Sequence, residues 1–324
     1  SLKKITAPAG VIAKTINTIL HIEELCICNT PGEFSNYYGN DVLPDANFTN
    51  LKSIKGVNSL ETNTVYCRPY APITNLSIFD LTDEQTSLLN TYPLQSLRIA
   101  ILTHNLFLMP GNIRHLSIHT DMMVSINCIA DFRLKSLELD FGHRRTIDFE
   151  LPATITDLTL MNAEFSFAIL RRLRLERLEL ARCSFEYDGF AYIENQPIAS
   201  LALNENNANP LYLERLPLTT VDLKSCDMDL SKLKRLKYVT IDTSKVKLSS
   251  NITHLSIINI VIDNLIPIIK IMPLEKLSVI SCRLDYEKLA ELSHLDLSCL
   301  ELNEDVSVRA FDLISHMTLR RVIL

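Results

Sequence analysis

The chain has 324 residues, 47% of them hydrophobic and 22% charged, with 7 glycines and a formal net charge of −6. So little glycine, with so much apolar sequence, excludes collagen-like and disordered classes. The acidic balance argues against a dedicated nucleic-acid binder.

Read in chain order, one spacing recurs. If the first apolar residue of each segment is position one, positions four and six are also apolar. Such segments start at Ile22, Ile73, Leu94, Ile113, Leu134, Ile155, Leu175, Ile198, Leu218, Leu236, Ile252, Leu274, Leu292 and Leu319. Weaker copies start at Leu2 and Leu51. From Ile73 to Leu292 the shortest step is 16 residues, Leu236 to Ile252, and the longest is 23, Leu175 to Ile198.

Before Ile73 the spacing loosens. The stretch 30–48, TPGEFSNYYGNDVLPDANF, gathers turn formers around Phe34, Tyr37 and Tyr38. It reads as an insertion loop, a place where function often sits, or as an aromatic lid packed on its own turn. Nearby, Cys26 and Cys28 fall on one face of a strand, but two thiols are too few for a structural zinc site. Between repeats, 82–90 reads as a helix, with Thr82 as N-cap and Gln85 three residues later. Segments 166–173, 263–271 and 285–292 read as helical turns, 144–154 as extended and 303–317 as the longest helix. The most apolar stretch, 257–272, is interrupted by Asp263, Asn264, Pro267 and Lys270. It therefore joins a strand end to a connecting element, rather than giving the roughly 20 apolar residues a membrane span needs. No amino-terminal signal peptide is visible.

The spacing L-x-x-L-x-L with Asn or Cys at position nine resembles the leucine-rich repeat, over nearly the whole chain. The resemblance implies an α/β fold: a right-handed solenoid with about fifteen short parallel strands in one curved sheet on the concave face. Short helices and extended segments would mix on the convex side. A single domain is expected over 1–324, with irregular repeats at 1–72, a regular body at 73–300, and a C-terminal helix and final strand at 301–324. LRRVIL (319–324) matches positions one to six, so the last strand is expected to have its edge covered by further chain, by the helix at 303–317 or by end-to-end contact with a second copy.

Position nine holds Cys183, Asn206, Cys226, Ser244 and Cys282, but also Leu81, Leu102, Ala163, Ile260 and Leu300, so the ladder is patchy. There the chain turns inward, and a small polar side chain satisfies backbone groups in the core. A thiol is a weakly polar substitute for the asparagine amide. Cys183, Cys226 and Cys282 are therefore expected to be structural, reduced and inaccessible. Cys282 and Cys299 are expected to point to different sides, unbonded. At about 4.8 Å per strand the three ladder cysteines stand too far apart for disulfides, which points to a reducing, cytoplasmic location, in a host cytosol or nucleus if the protein is an effector.

No nucleotide-binding, hydrolase or zinc-protease motif occurs. His115 and His119, four apart on a strand, read as surface histidines. The run at 171–177, RRLRLER, reads as solvated surface. No enzyme activity, cofactor, metal, nucleic acid or membrane is expected.

The informative surface is the concave one, with positions three, five, seven and eight facing outward. Position five reads Glu138, Thr159, Glu179, Ala202, Asp222 and Thr240, and neighbouring outward positions add Asp140, Asp157, Glu205 and Asp242. Arg177, Arg182 and Lys224 oppose these acids, and Phe79, Phe141 and Tyr238 are the sparse aromatics. Glu138, Glu179 and Asp222 should sit on alternate strands, about 10 Å from one to the next. The expected function is a non-enzymatic protein-binding module whose partner has a basic surface. Its candidate contacts are Glu138, Asp140, Asp157, Glu179, Asp222, Tyr238 and Asp242 on the sheet and Phe34, Tyr37 and Tyr38 in the loop. A plain soluble sheet face is the competing reading of the same residues. Three other roles share the sequence: the substrate-recruiting arm of an F-box-type ubiquitin-ligase adaptor, a pathogen or symbiont effector or scaffold in a host cell, and the recognition domain of a larger enzyme.

Overall fold

The computed structural model describes residues 74–80, 89–90, 92–99, 111–120, 125–206, 210–282, 291–302, 317 and 319–323, together with the backbone of strands at 4–7, 24–27 and 53–59. Phe34, Tyr37, Tyr38, Cys28, most of the helix expected at 82–90, all but the last two residues of the turn expected at 285–292 and all but the last residue of the helix expected at 303–317 lie outside these residues. So does the side chain of Phe79. No helix among the described residues is long and apolar enough to cross a membrane.

Contacts group the chain into two compact units, Ser1–Asn162 and Ala163–Leu324. The first carries β1 (Lys4–Ala7), β2 (Glu24–Ile27), β3 (Ser53–Ser59), β4 (Asn75–Asp80), β5 (Ser96–Ile99), β6 (His115–Thr120) and β7 (Ser136–Thr146). β8 (Asp157–Glu164) runs over the division. The second unit carries β9 (Arg177–Ala181), β10 (Ser200–Asn204), β11 (Thr220–Lys224), β12 (Tyr238–Ile241), β13 (His254–Ile258), β14 (Lys276–Ile280), β15 (Cys299–Leu302) and β16 (Arg321–Ile323). Within each unit the strands lie side by side in chain order, and every registered pair is parallel. One strand per turn, each returning beside the last, is a parallel solenoid.

The register follows the repeat. Position four of one strand pairs with position four of the next: Leu97 with Leu116 and Leu116 with Leu137 in the first unit, and Leu178 with Leu201 and Leu255 with Leu277 in the second. Leu116, Leu137, Leu158, Leu178, Leu201, Leu255 and Leu277 are all buried, because period-two alternation puts positions four and six on the inner side of each strand.

The two weak copies also form strands, β1 and β3. In β3 the register shifts between Ile54 and Val57. Three residues there span what two span elsewhere, and a β-bulge absorbs the extra one.

One repeat start needs correction. The last regular turn begins at Leu297, not Leu292, because Lys276 pairs with Cys299 and Leu277 with Leu300. Leu300 is thus a position-four core residue rather than a position-nine residue, while Leu292 and Leu295 are buried in the preceding turn. The string LSHLDLSCLEL contains the motif in two overlapping frames, and the strand uses the second.

The connecting elements are short. In the second unit a 3-10 turn at Phe167–Leu170 is capped by Ser166, whose hydroxyl accepts from the Ala168 N–H. Another lies at Gly189–Tyr192, and a single α-helical turn at Ile266–Ile269. Phe165, Phe167, Phe185 and Phe190 pack together behind these turns, with ring centroids 4.7 to 6.1 Å apart. Gly189 permits that cluster, since a Cβ there would stand 2.4 Å from the Phe167 ring.

Candidate functional site

Each repeat presents positions three, five and seven on the outer side of the sheet. In the second unit, position five runs Glu179, Ala202, Asp222, Thr240, Ser256, Ser278 and Glu301 across seven paired strands. The acids at Glu179 and Asp222 are two strands, about 10 Å, apart. In the first unit the same column runs Ser77, Arg98, Ser117 and Glu138.

β8, β9, β10, β11, β13 and β14 share a common backbone geometry at position eight. Arg182, Glu205, Ser225, Asn259 and Ser281 of the second unit, and Asn162 of the first, all have φ between 50° and 57°. Every one is position eight. Asparagine tolerates this left-handed backbone better than the others. The conformation turns the N–H toward the neighbouring strand: Arg182 donates to Asn204 O, Glu205 to Lys224 O and Asn259 to Ile280 O, at 2.8 to 2.9 Å.

Position nine then enters the core. Asn206 donates from Nδ2 to Asn204 O (2.6 Å) in its own turn and to Leu180 O (2.7 Å) in the turn before, and its Oδ1 accepts from the Cys183 N–H (2.8 Å). The thiols repeat this pattern. Cys226 Sγ donates to Lys224 O and Leu203 O and accepts from the Asn206 N–H. Cys282 Sγ reaches Ile280 O and Ile257 O, the same two positions three repeats later. The fold is that of a leucine-rich repeat.

No protein-family model matches the chain, and no curated protein does. Among solved structures, the chain is similar to internalin InlF of Listeria monocytogenes at 17% identity and a TM-score of 0.43, over 78% of this chain and 80% of that one.

The leucine-rich-repeat ladder qualifies the expectation for its cysteines. None of Cys128, Cys183, Cys226, Cys282 and Cys299 is in a disulfide, and of these five only Cys226 is buried; Cys183 and Cys282 are half-buried. Burial pushes the Cys226 and Cys282 thiols up from their ordinary pKa, against backbone N–H groups that pull them down. Cys299 sits at position three on the outer face, away from the ladder that holds Cys282. Ser244, expected in the ladder, is exposed. Its repeat is the shortest and lacks the left-handed residue at position eight.

The acids of the open face have unequal roles. Asp140 Oδ2 lies 2.9 Å from His119 Nδ1, and its Oδ1 accepts from Asn162 Nδ2 at 2.8 Å, so this carboxylate ties three strands of the first unit together. His119 is accordingly half-buried rather than a free surface histidine. Asp157 accepts from Thr156 Oγ1 at 2.8 Å. Asp242 accepts from the Ser225 N–H, taking the place of the strand carbonyl that serves Arg182, Glu205 and Asn259. Glu205 faces Arg182 at 4.0 Å. Glu138 and Glu179 have no hydrogen-bond or ion-pair partner among the described residues.

Asp222 is a special case. Its Oδ2 is 3.7 Å from Lys224 Nζ, while its Oδ1 is turned inward with no hydrogen-bond partner. Burial holds this carboxyl above its ordinary range, Lys224 opposes that shift, and the nearby charge of Asp242 adds to it.

The face differs from expectation in its aromatics. Phe141 is buried, with the Arg145 guanidinium 5.5 Å from its ring centre. β7 does not turn at position eight but continues to Thr146, so the alternation that buries Leu137 and Leu139 carries Phe141 inward too. Tyr238 is exposed as expected and has a partner the sequence reading missed. His254, beside it in register, has its ring centroid 4.6 Å away. The signal was present, since both occupy position three of consecutive repeats.

Proposed function

We propose that the open face of the sheet binds a protein partner bearing basic residues, and that the protein acts as a non-enzymatic interaction module. The observation that carries this reading is the division of labour among the acids. Asp140 and Asp242 are engaged in holding the repeats and Asp157 bonds its neighbour Thr156, whereas Glu138 and Glu179 have no partner among the described residues and Asp222 has only the 3.7 Å contact with Lys224. Complementary charge on such a surface mainly steers association and fixes register. Within the second unit, Glu179 and Asp222 are spaced for an extended basic segment crossing the strands.

The test is capture of a partner from native lysate, followed by affinity measurement with Glu179→Lys/Asp222→Lys and, separately, Glu138→Lys. Glu138→Lys and Glu179→Lys should fold like the parent, since surface changes usually shift stability within about 0.5 kcal/mol each, and the urea midpoint of the double variant checks that replacing the half-buried Asp222 leaves the fold intact. The double variant is expected to slow association, and binding to the parent is expected to weaken as salt rises. Unchanged affinity and an unchanged salt response in both variants would move the binding surface elsewhere.

A further inference from the structure

We propose that Tyr238, His254 and Asp222 form an arginine subsite on the open face of the second unit. This deepens the reading above and rests on it: an acidic face admits any basic segment, whereas this corner distinguishes arginine from lysine.

Tyr238 is 47% exposed in a face otherwise made of small and charged side chains. Its ring is braced by His254, and the His254 imidazole is itself held by Thr253, whose Oγ1 lies 3.0 Å from Nδ1. A ring held from one side presents its remaining surface as a flat platform. Asp222 stands one strand over and one outward position along, since Thr220 pairs with Tyr238 and Asp222 with Thr240. Backbone spacing puts the two side-chain origins about 8 Å apart.

Charge selects the occupant. The cations near this corner are already engaged, Lys224 with Asp222 and Lys276 with Glu301 at 3.3 Å. The outward oxygen of Asp222, Oδ2, is held only by a 3.7 Å contact with Lys224 Nζ, which leaves room for donors of a guanidinium beside it. Glu179, two strands away in the same column, adds negative potential. A guanidinium is planar, stacks on an aromatic face, and still directs donors sideways to a carboxylate. An ammonium is a compact point charge, strongly hydrated, and cannot do both at once.

The probes are two short fluorescent peptides on a Gly-Ser background, one with arginine and one with lysine at every third position. That spacing places basic groups about 10 Å apart in an extended chain. Anisotropy at low ionic strength is read with the whole chain and with Tyr238→Phe, Tyr238→Leu and Glu179→Lys. The arginine peptide should bind about three- to tenfold tighter than the lysine peptide. Tyr238→Leu should remove that preference, Tyr238→Phe should keep it, and Glu179→Lys should weaken both peptides alike. Equal affinity for the two peptides, no binding of either, or a preference that survives Tyr238→Leu would overturn the subsite. If Glu179→Lys still weakens both peptides while the preference is absent, the acidic-face reading stands without it. If no variant alters binding, both readings fall.

Discussion

Replacing Asn206 by alanine is expected to destabilise the protein by about 3 kcal/mol or more, seen as a lower urea midpoint. The residue is buried, and its amide serves three backbone groups in two turns: Leu180 O, Asn204 O and the Cys183 N–H. Each buried polar group left without a partner costs about 1–3 kcal/mol. The more informative variant is Asn206→Cys. Cys226 shows a thiol reaching the equivalent carbonyls one turn later, at 3.1 and 3.5 Å. The cysteine variant should therefore fall between asparagine and alanine. If it is no better than alanine, the thiols at position nine are fillers rather than ladder members.

The second large effect is at Leu178. Its truncation to alanine should cost about 2–5 kcal/mol, from lost burial plus the cavity left in a close-packed core. Leu178 is 1% exposed and stacks in register on Leu201. Its neighbour Glu179 faces the other way, and Glu179→Ala should change stability by no more than about 0.5 kcal/mol. The pair is a register test, because a shift by one residue exchanges the two faces of a strand. Comparable costs at 178 and 179 would contradict the assignment of inside and outside.

The period was legible because every turn must bury the same two positions, and stacking repeats that demand along the chain. Among the described residues its frame misled where the sequence satisfied it twice, at Leu292 and Leu297, and there strand pairing decides. The cysteine ladder was legible in kind, since a small polar side chain at position nine can satisfy backbone groups where the chain turns inward. The left-handed residue before it was not. Glycine would have announced that backbone, but Arg182, Glu205, Ser225 and Ser281 adopt it instead.

On the open face, columns could be read from position numbers, whereas pairing could not. Asp140 and Asp242 looked as available as Glu179. Their engagement depends on which neighbour reaches across, and on the turn after β12 lacking a left-handed residue. Phe141 was misplaced for a related reason. Whether β7 turns or continues is settled by its neighbours, not by its own spacing. The loop of Phe34, Tyr37 and Tyr38 lies outside the described residues, and its part in binding stands as a proposal alongside the sheet face.

The central claim is that the outer side of the strands meets the partner. Carboxyl footprinting tests it most directly: exposed acids are coupled to a small amine in the free protein and in the captured complex, then quantified by mass spectrometry. The account predicts that Glu138, Glu179 or both become protected on binding, while Glu186 and Asp188, in the connecting segment of the second unit, label as before. Full labelling of Glu138 and Glu179 in the complex, with protection at Glu186 and Asp188, would contradict it.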